Sequence, residues 1–304
     1  MTLRALFDVA APAKLNLFLH VTGRRGDGYH LLQSLFVLID WCDTLHFERR
    51  EDGRLARHDL AARLPDEDLC LRAARALQTE SGTALGADIS INKQVPWGAG
   101  MGGGSSDAAS TLLALNRLWG LNWPRSRLMA LGLKLGADLP FFLSGNNAFV
   151  EGIGERLTPV PVAPEWLAVV KPAASIETRA IFGSPLLVRY SEAVILEGLS
   201  SGGFAGISAF GFGRNDLQAA AEAACAEVAQ AAEMLHRCFG NSRMTGSGSA
   251  VFARVSARAS AKNSATTGAA ERPIALMPAD LPPGWVGRMC RSLKQHPLVG
   301  WADD

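Results

Sequence analysis

The sequence lacks the features of secreted and membrane proteins. Its five cysteines are scattered, their count is odd and no two form a Cys-x-x-Cys pair, so neither a disulfide framework nor a structural zinc site is expected. The apolar runs are too short or too interrupted to span a bilayer. The segment Met1–Ala13 lacks the apolar core and cleavage site of a signal peptide. These absences predict a reduced, cytoplasmic protein.

Charge of one sign is also scarce. Thirty Lys and Arg residues face 29 Asp and Glu residues, which leaves a formal net charge of +1. This balance offers no electrostatic basis for binding nucleic acid or an anionic membrane. The hydrophobic share of 48% and the length of 304 residues indicate a globular chain of one large or two modest domains.

A glycine-rich stretch occupies residues 96–107, with five glycines within seven positions. The preceding Ala87–Asn92 alternates apolar and polar residues, as a half-buried strand does, and Asp107–Trp119 has one apolar helical face. Ser105 or Ser106 is expected to cap that helix. A glycine loop at a helix N-terminus presents backbone N–H groups to an anion, and phosphate is the expected ligand. The predicted phosphate-binding residues are Pro96, Trp97, Gly98, Ala99, Gly100, Met101, Gly102, Gly103, Gly104, Ser105 and Ser106.

Three other kinds of loop share some of these features. A simple surface turn does not account for so many glycines directly before a helix. A Walker A loop is excluded because no Gly-Lys-Ser/Thr follows the glycines. The spacing of Gly98, Gly100 and Gly103 satisfies a dinucleotide fingerprint, but no acidic residue lies between Asp107 and Asp138 to bind the ribose. A nucleoside triphosphate is therefore favoured.

The stretch Pro-x-Gly-Ala-Gly-Met-Gly-Gly-Gly-Ser-Ser-Asp-Ala-Ala resembles the ATP-phosphate loop of the GHMP kinase superfamily, which includes galactokinase, homoserine kinase and mevalonate kinase. The resemblance implies ATP as phosphoryl donor, with Mg²⁺. It also implies an α/β (α+β) fold of two domains. The first is similar to ribosomal protein S5 domain 2 and the second is ferredoxin-like. A cluster of prolines after residue 158 places the boundary between residues 1–160 and 161–304.

Residues 12–19 and 25–30 resemble one branch of this superfamily more closely. They read Pro-Ala-Lys-Leu-Asn-Leu-Phe-Leu and Arg-Gly-Asp-Gly-Tyr-His. By spacing alone, Lys14 and Asn16 could be exposed side chains of a half-buried strand, and His30 could be a structural histidine. The branch phosphorylates a cytidine diphosphate-linked methylerythritol. The resemblance therefore implies that Lys14 is catalytic, that Asn16 binds substrate and that Tyr29 and His30 hold the cytidine, by stacking and by hydrogen bonding.

Two further stretches extend the resemblance. Gly-Ala-Asp-Leu-Pro-Phe-Phe-Leu around Asp138 is similar to the segment with the catalytic aspartate, although Asp138 alone could equally cap a helix or turn. Phe182 matches an aromatic residue that packs on the cytosine. The glycine turn at residues 244–253 resembles the third superfamily motif, near the phosphate loop. It implies substrate contacts from Thr245 and Gly246.

The implied reaction is ATP-dependent phosphorylation of the substrate's 2-hydroxyl, as part of non-mevalonate isoprenoid biosynthesis. Asp138 would act as general base and Lys14 would stabilise charge. The magnesium ligands are not predicted, with Ser106 as a candidate, and a monomer or weak homodimer is expected. Another small-alcohol kinase and a non-catalytic nucleotide sensor stay as alternatives. We also expect a long Ala-rich helix capped by Asn215 and Asp216, and loops at residues 200–213 and 254–273.

Overall fold

Two β-sheets organise the computed structural model, which describes residues 3–61, 63–195, 209–255, 277 and 280–304. The strands in these residues are β1 (Ala5–Arg24), β2 (His30–Arg50), β3 (Leu55–Asp59), β4 (Gly86–Asn92), β5 (Ala148–Gly152), β6 (Arg156–Pro159), β7 (Trp166–Lys171), β8 (Arg243–Met244), β9 (Val251–Arg254) and β10 (Val286–Arg291). The helices are α1 (Leu69–Ser81), α2 (Gly103–Leu118), α3 (Arg125–Leu135), α4 (Leu139–Ser144), α5 (Thr178–Gly183), α6 (Gln218–Ala224) and α7 (Ala226–Phe239). None of these helices is long and apolar enough to cross a membrane.

The first sheet is built on the long antiparallel hairpin of β1 and β2. On its other side, β2 pairs with β4 through its second half and with β5 through its first half. The two outer strands complete the sheet, β3 parallel to β4 and β6 antiparallel to β5. Helices α1 and α2 pack together, and α2 also packs on β1 and β2. Their apolar faces meet in one core, so α2 and the loop before it are fixed against β1.

The second sheet is antiparallel throughout and has the order β10-β7-β9-β8. This order, fourth-first-third-second, is that of a ferredoxin-like sheet. Helix α7 packs on β9 and β7 because its apolar face, including Val228 and Leu235, is buried against them. A separate apolar cluster joins the two sheets, with Leu15 and Leu17 of β1 beside Leu167 and Val169 of β7.

Two predicted helices differ in the structure. Helix α2 begins at Gly103, with Gly102 at the N-cap position, so Ser105 and Ser106 lie in its first turn and cap nothing. Gly102 has a φ of +70°, a left-handed conformation that lets the loop turn into the helix without a side-chain cap. The Ala-rich helix is interrupted at Cys225, whose extended backbone separates α6 from α7.

The chain returns to the first sheet after β10. The Leu293 N–H donates to the Leu38 carbonyl at 2.8 Å, and the His296 N–H donates to the Gly145 carbonyl at 2.8 Å. The division at residue 160 stays a prediction, and this tail would belong spatially to the first unit. The expected loop at 254–273 lies outside the described residues except for its first two positions, as does most of the loop at 200–213.

Candidate functional site

The glycine loop surrounds a cavity of about 230 Å³. Gly98, Gly100 and Gly102 have φ values of +62°, +73° and +70°, a region that strongly favours glycine. The cavity is lined by every predicted phosphate-binding residue from 96 to 105, together with Leu69 and Lys93. The remaining predicted residue, Ser106, is fully buried behind the loop.

The loop packs tightly on the second glycine turn. The Ala250 N–H donates to the Ala99 carbonyl at 3.1 Å, which holds the turn against the loop. A Cβ on Gly100 would lie 2.4 Å from the Thr245 carbonyl oxygen, and a Cβ on Gly246 would lie 2.7 Å from the Gly100 carbonyl oxygen. No side chain fits between the two backbones, which explains why both segments are rich in glycine.

The N-terminus of α2 faces this loop. The first intrahelical bond runs from the Ser106 N–H to the Gly102 carbonyl at 2.9 Å. The amides of Gly103, Gly104 and Ser105 therefore have no partner within the helix, and they sit at the positive end of the helix dipole. Such an end binds phosphate without any basic side chain.

Lys14 and Asp138 meet beside the loop. Lys14 Nζ lies 3.8 Å from Asp138 Oδ2, 3.2 Å from the Gly100 carbonyl oxygen and 2.7 Å from Asn16 Oδ1. Burial lowers the pKa of the Lys14 ammonium, and the Asp138 carboxylate acts in the opposite direction. The Asp138 side chain is 32% exposed, whereas that of Lys14 is 5% exposed. The carboxylate is thus open to a ligand, and the lysine is held behind it.

Asn16 and Thr245 support Lys14 from within the protein. The Asn16 carboxamide oxygen accepts from Lys14 Nζ and from Thr245 Oγ1, and its amide donates to Ser34 Oγ at 3.0 Å. The Asn16 backbone N–H donates to Thr245 Oγ1 at 2.9 Å. Both residues are buried, and all of these polar atoms are engaged. Their contact with substrate stays a prediction, whereas Asn16 contacts Lys14 directly and Thr245 holds Asn16.

No sequence motif predicts a role for Lys93. Its ammonium donates to the Asp43 carboxylate and, at 2.7 Å, to Asp107 Oδ2. The other Asp43 oxygen accepts the backbone N–H groups of Gln94 and Val95 at 2.5 and 2.7 Å. One buried lysine therefore ties the entry of the loop to helix α2 at its exit. A lysine three residues before a glycine loop was the only signal, and it does not distinguish this role from a surface position.

Two other predicted residues, far from the glycine loop in the sequence, contact each other. The His30 and Phe182 rings stack with centroids 4.9 Å apart and planes 25° from parallel. Burial lowers the pKa of His30, and the charges of Arg189 and Arg24 act in the same direction. Tyr29 is 62% exposed, an unusual position for a large aromatic side chain. The Phe182 ring and the neutral imidazole form a surface suited to a flat heterocycle, and Tyr29 is the residue before His30 in the chain.

The residues near the loop also fit a phosphate-bound magnesium ion. In the described ranges, no three His, Cys, Asp or Glu side chains cluster as a metal site. The buried Ser106 hydroxyl has no hydrogen-bond partner there, and Ser105 lines the cavity. Magnesium at nucleotide sites takes one or two protein oxygens beside phosphate oxygens and water, which this donor set allows.

This fold, with a glycine loop opening a helix beside a buried lysine and an open carboxylate, defines a nucleotide-dependent phosphotransferase. Comparisons with known proteins agree. Residues 68–146 match the family described as GHMP kinases N terminal domain, and residues 200–266 match GHMP kinases C terminal.

Curated relatives are similar over the whole length. The 4-diphosphocytidyl-2-C-methyl-D-erythritol kinase of Methylibium petroleiphilum is 65% identical over 99% of this chain and 100% of its own. That of Albidiferax ferrireducens is 54% identical over 99% and 96%. The chain belongs to the 4-diphosphocytidyl-2-C-methyl-D-erythritol kinase family, within the GHMP kinases.

Solved structures support the same assignment. A crystal structure of 4-(cytidine 5'-diphospho)-2C-methyl-D-erythritol kinase superposes with a TM-score of 0.70 at 33% identity, covering 82% of this chain and 89% of that one. Homoserine kinase from Cytophaga hutchinsonii, at 15% identity and a TM-score of 0.62 over 96% and 95% of the two chains, is similar in fold alone. The predicted family and α+β two-domain GHMP kinase fold are confirmed.

Proposed function

We propose that this chain transfers the γ-phosphoryl group of ATP to the 2-hydroxyl of 4-diphosphocytidyl-2-C-methyl-D-erythritol, a step of non-mevalonate isoprenoid biosynthesis. The observation that carries the proposal is the pairing of Lys14 with Asp138 next to Gly100 of the loop. A site that only bound or sensed a nucleotide would not need a carboxylate held open beside a buried amine. Relatives with this activity in their names match the chain from end to end.

Asp138 is the general base. Its exposed oxygen accepts the proton of the substrate hydroxyl as that oxygen attacks the γ-phosphorus, and the bond to the β-phosphate oxygen breaks. The Lys14 ammonium offsets negative charge on the transferred group. Because Lys14 also donates to the Gly100 carbonyl, the same ammonium links the base to the phosphate loop.

The phosphates of ATP occupy the cavity lined by residues 96–105, where the free amides at the start of α2 donate to them. The hydroxyls of Ser105 and Ser106 are candidate protein ligands for a magnesium ion bound with ATP, which would neutralise phosphate charge. The cytosine ring stacks with Tyr29 and Phe182, and His30 bonds its edge. Asn16, Thr245 and Gly246 then contact the part of the substrate that carries the 2-hydroxyl.

We propose that the chain works in the cytoplasm on a small molecule. Cys42, Cys70, Cys225 and Cys238 form no disulfide in the structure, which fits a reducing cytoplasm. A small-molecule substrate accounts for the described site, and the near-zero net charge provides no attraction to nucleic acid. We propose a monomer or weak homodimer.

The test measures ATP consumption and product formation with the purified protein and the cytidine diphosphate-linked substrate. Asp138→Asn removes the base while keeping shape, so we expect kcat to fall by roughly 10²- to 10⁴-fold with ATP binding retained. Asp66→Asn, at an exposed position with an 89% exposed side chain, is the control and should match the wild type.

Three outcomes would contradict the proposal. Full activity of Asp138→Asn would remove Asp138 from the mechanism. Turnover of homoserine, mevalonate or a sugar in place of the cytidine compound would indicate another small-alcohol kinase. ATP binding without turnover of any alcohol would indicate a sensing module.

A further inference from the structure

Arg189 lies beside the His30–Phe182 pair, and nothing in the sequence singles it out. Its Nη2 donates to the carbonyl oxygens of Phe182 at 3.3 Å and of Ser184 at 3.2 Å. Helix α5 ends at Gly183, so these carbonyls belong to its last turn and the residue after it. Carbonyls there lack intrahelical partners and carry the negative end of the dipole. The Arg189 guanidinium therefore caps the C-terminus of α5.

This cap matters because α5 has only six residues. So short a helix is not stable by itself and depends on contacts at its ends. At its start, Thr178 Oγ1 bonds Ser247 Oγ at 2.7 Å, which ties the helix to the second glycine turn. At its end, Arg189 holds the backbone of Phe182, whose ring stacks on His30. The position of that ring is thus coupled to Arg189.

The segment that carries Arg189 is itself anchored. The next residue but one, Ser191, donates its N–H to the Val21 carbonyl at 2.8 Å, and its hydroxyl donates to Asp216 Oδ2 at 2.6 Å. The Val194 N–H donates to Gln33 Oε1 at 2.7 Å. These bonds connect the segment to β1, to β2 and to the start of α6, so Arg189 acts from a fixed platform.

The charge of Arg189 also acts on His30. After burial, Arg189 is the next largest influence that lowers the His30 pKa, followed by Arg24. His30 is consequently neutral at pH 7, with one nitrogen donating and the other accepting. Its Nε2 is buried and has no hydrogen-bond partner among the described residues. Cytosine offers an amino donor next to a ring acceptor, whereas uracil reverses these roles, so the two bases require opposite tautomers of a neutral imidazole in a fixed position.

We infer that Arg189 is a positioning residue of the nucleobase subsite, holding Phe182 against His30 so that the subsite prefers cytosine to uracil. The inference rests on the proposed function and deepens it. Arg189 needs no contact with the base, because it acts through the end of α5 and through its charge.

The first experiment measures binding of CDP, UDP and ATP to the full chain by titration calorimetry. Arg189→Gln is compared with Arg179→Gln, which removes an exposed arginine from α5. Loss of an ordered aromatic partner predicts that CDP binds about 3- to 10-fold more weakly to Arg189→Gln, that the CDP-to-UDP affinity ratio falls, and that ATP affinity is unchanged. Arg179→Gln should bind all three as the wild type does.

The second experiment separates charge from geometry by following the His30 ring signals with pH by NMR. Arg189→Gln should raise the His30 pKa, because a nearby positive charge is lost. Arg189→Lys keeps the charge but cannot reproduce the guanidinium fork, so it should restore the His30 pKa and only part of the CDP affinity. A residue with a merely structural role would leave the His30 titration unmoved.

Different results would overturn the role of Arg189 and the proposed kinase function. A wild-type protein that prefers CDP, with an Arg189→Gln variant that keeps the same preference and the same His30 pKa, overturns the inference alone. A wild-type protein that binds CDP no better than UDP, and that fails to turn over the cytidine substrate, overturns the proposed function with it.

Discussion

Replacing Gly100 by alanine tests whether the two glycine segments must touch. Gly100 combines a φ of +73° with a Cβ position 2.4 Å from the Thr245 carbonyl oxygen and 3.0 Å from the Gly248 carbonyl oxygen. Gly82 is the matched control, since it caps α1 at a φ of +68° and has nothing within 4 Å of its Cβ position. The two variants share the backbone cost and differ in the steric clash.

The expected magnitudes follow from that difference. A left-handed alanine costs about 1–2 kcal/mol at either position. At Gly100, displacement of a packed backbone adds about 1–3 kcal/mol. In a chain of this size each kcal/mol shifts Tm by about 2 °C, so Gly100→Ala should melt on the order of 2–6 °C below Gly82→Ala.

The loop's amides move with the clash, so ATP binding should weaken as well as stability. We expect the KM for ATP to rise at least about tenfold in Gly100→Ala, equivalent to ~1.4 kcal/mol, and to stay at the wild-type value in Gly82→Ala. Scanning calorimetry and initial rates at varied ATP measure both effects. Equal Tm values and equal KM values for the two variants would refute the close packing of loop and turn.

Two predictions concern pH and stability. Burial lowers the pKa of His296 to about 4, with Arg125 acting in the same direction. The native state then binds fewer protons than the unfolded state, so the stability linked to His296 is fully present above pH 6.5 and falls by about 3 kcal/mol as pH drops toward 4. In urea unfolding, His296→Asn should lose much less unfolding free energy between pH 6.5 and 4 than the wild type. His236→Asn, at an exposed position, is the control and should lose as much as the wild type. A wild-type loss in His296→Asn would show that His296 is not its source. Burial raises the pKa of Asp107. The Lys93 ammonium opposes this shift, and the Asp43 carboxylate adds to it. Its native state retains a proton, so its contribution to stability falls as pH rises above the ordinary aspartate value, and Asp107→Asn should flatten the decline between pH 6.5 and 8. A decline of the same slope in that variant would show that another group is responsible.

Two helix boundaries differ from the sequence prediction because the backbone conformation of a single residue sets each boundary. Ser105 and Ser106 have the chemistry of N-caps, but a left-handed Gly102 starts α2 earlier and makes a cap unnecessary. The Ala-rich segment has helical periodicity throughout, yet its backbone becomes extended at Cys225, where α6 gives way to α7. Sequence periodicity tells which face is apolar and says little about where a helix is interrupted.

The sequence by itself determined the glycine loop in front of α2, because positive φ values, free helix amides and glycine content are properties of neighbouring residues. Its motifs also predicted roles for Lys14, Asp138, His30 and Phe182 through resemblance to a kinase family. Only the tertiary structure brought Lys14 within 3.8 Å of Asp138 and stacked His30 on Phe182.

The supporting residues were decided by the fold alone. Lys93 between two buried carboxyl groups, Asn16 against Ser34 and Thr245, and Arg189 at the end of α5 each act through partners on other elements. Local sequence encodes backbone conformation, whereas these contacts arise when two sheets and their helices pack, and no spacing along the chain records which side chains then meet.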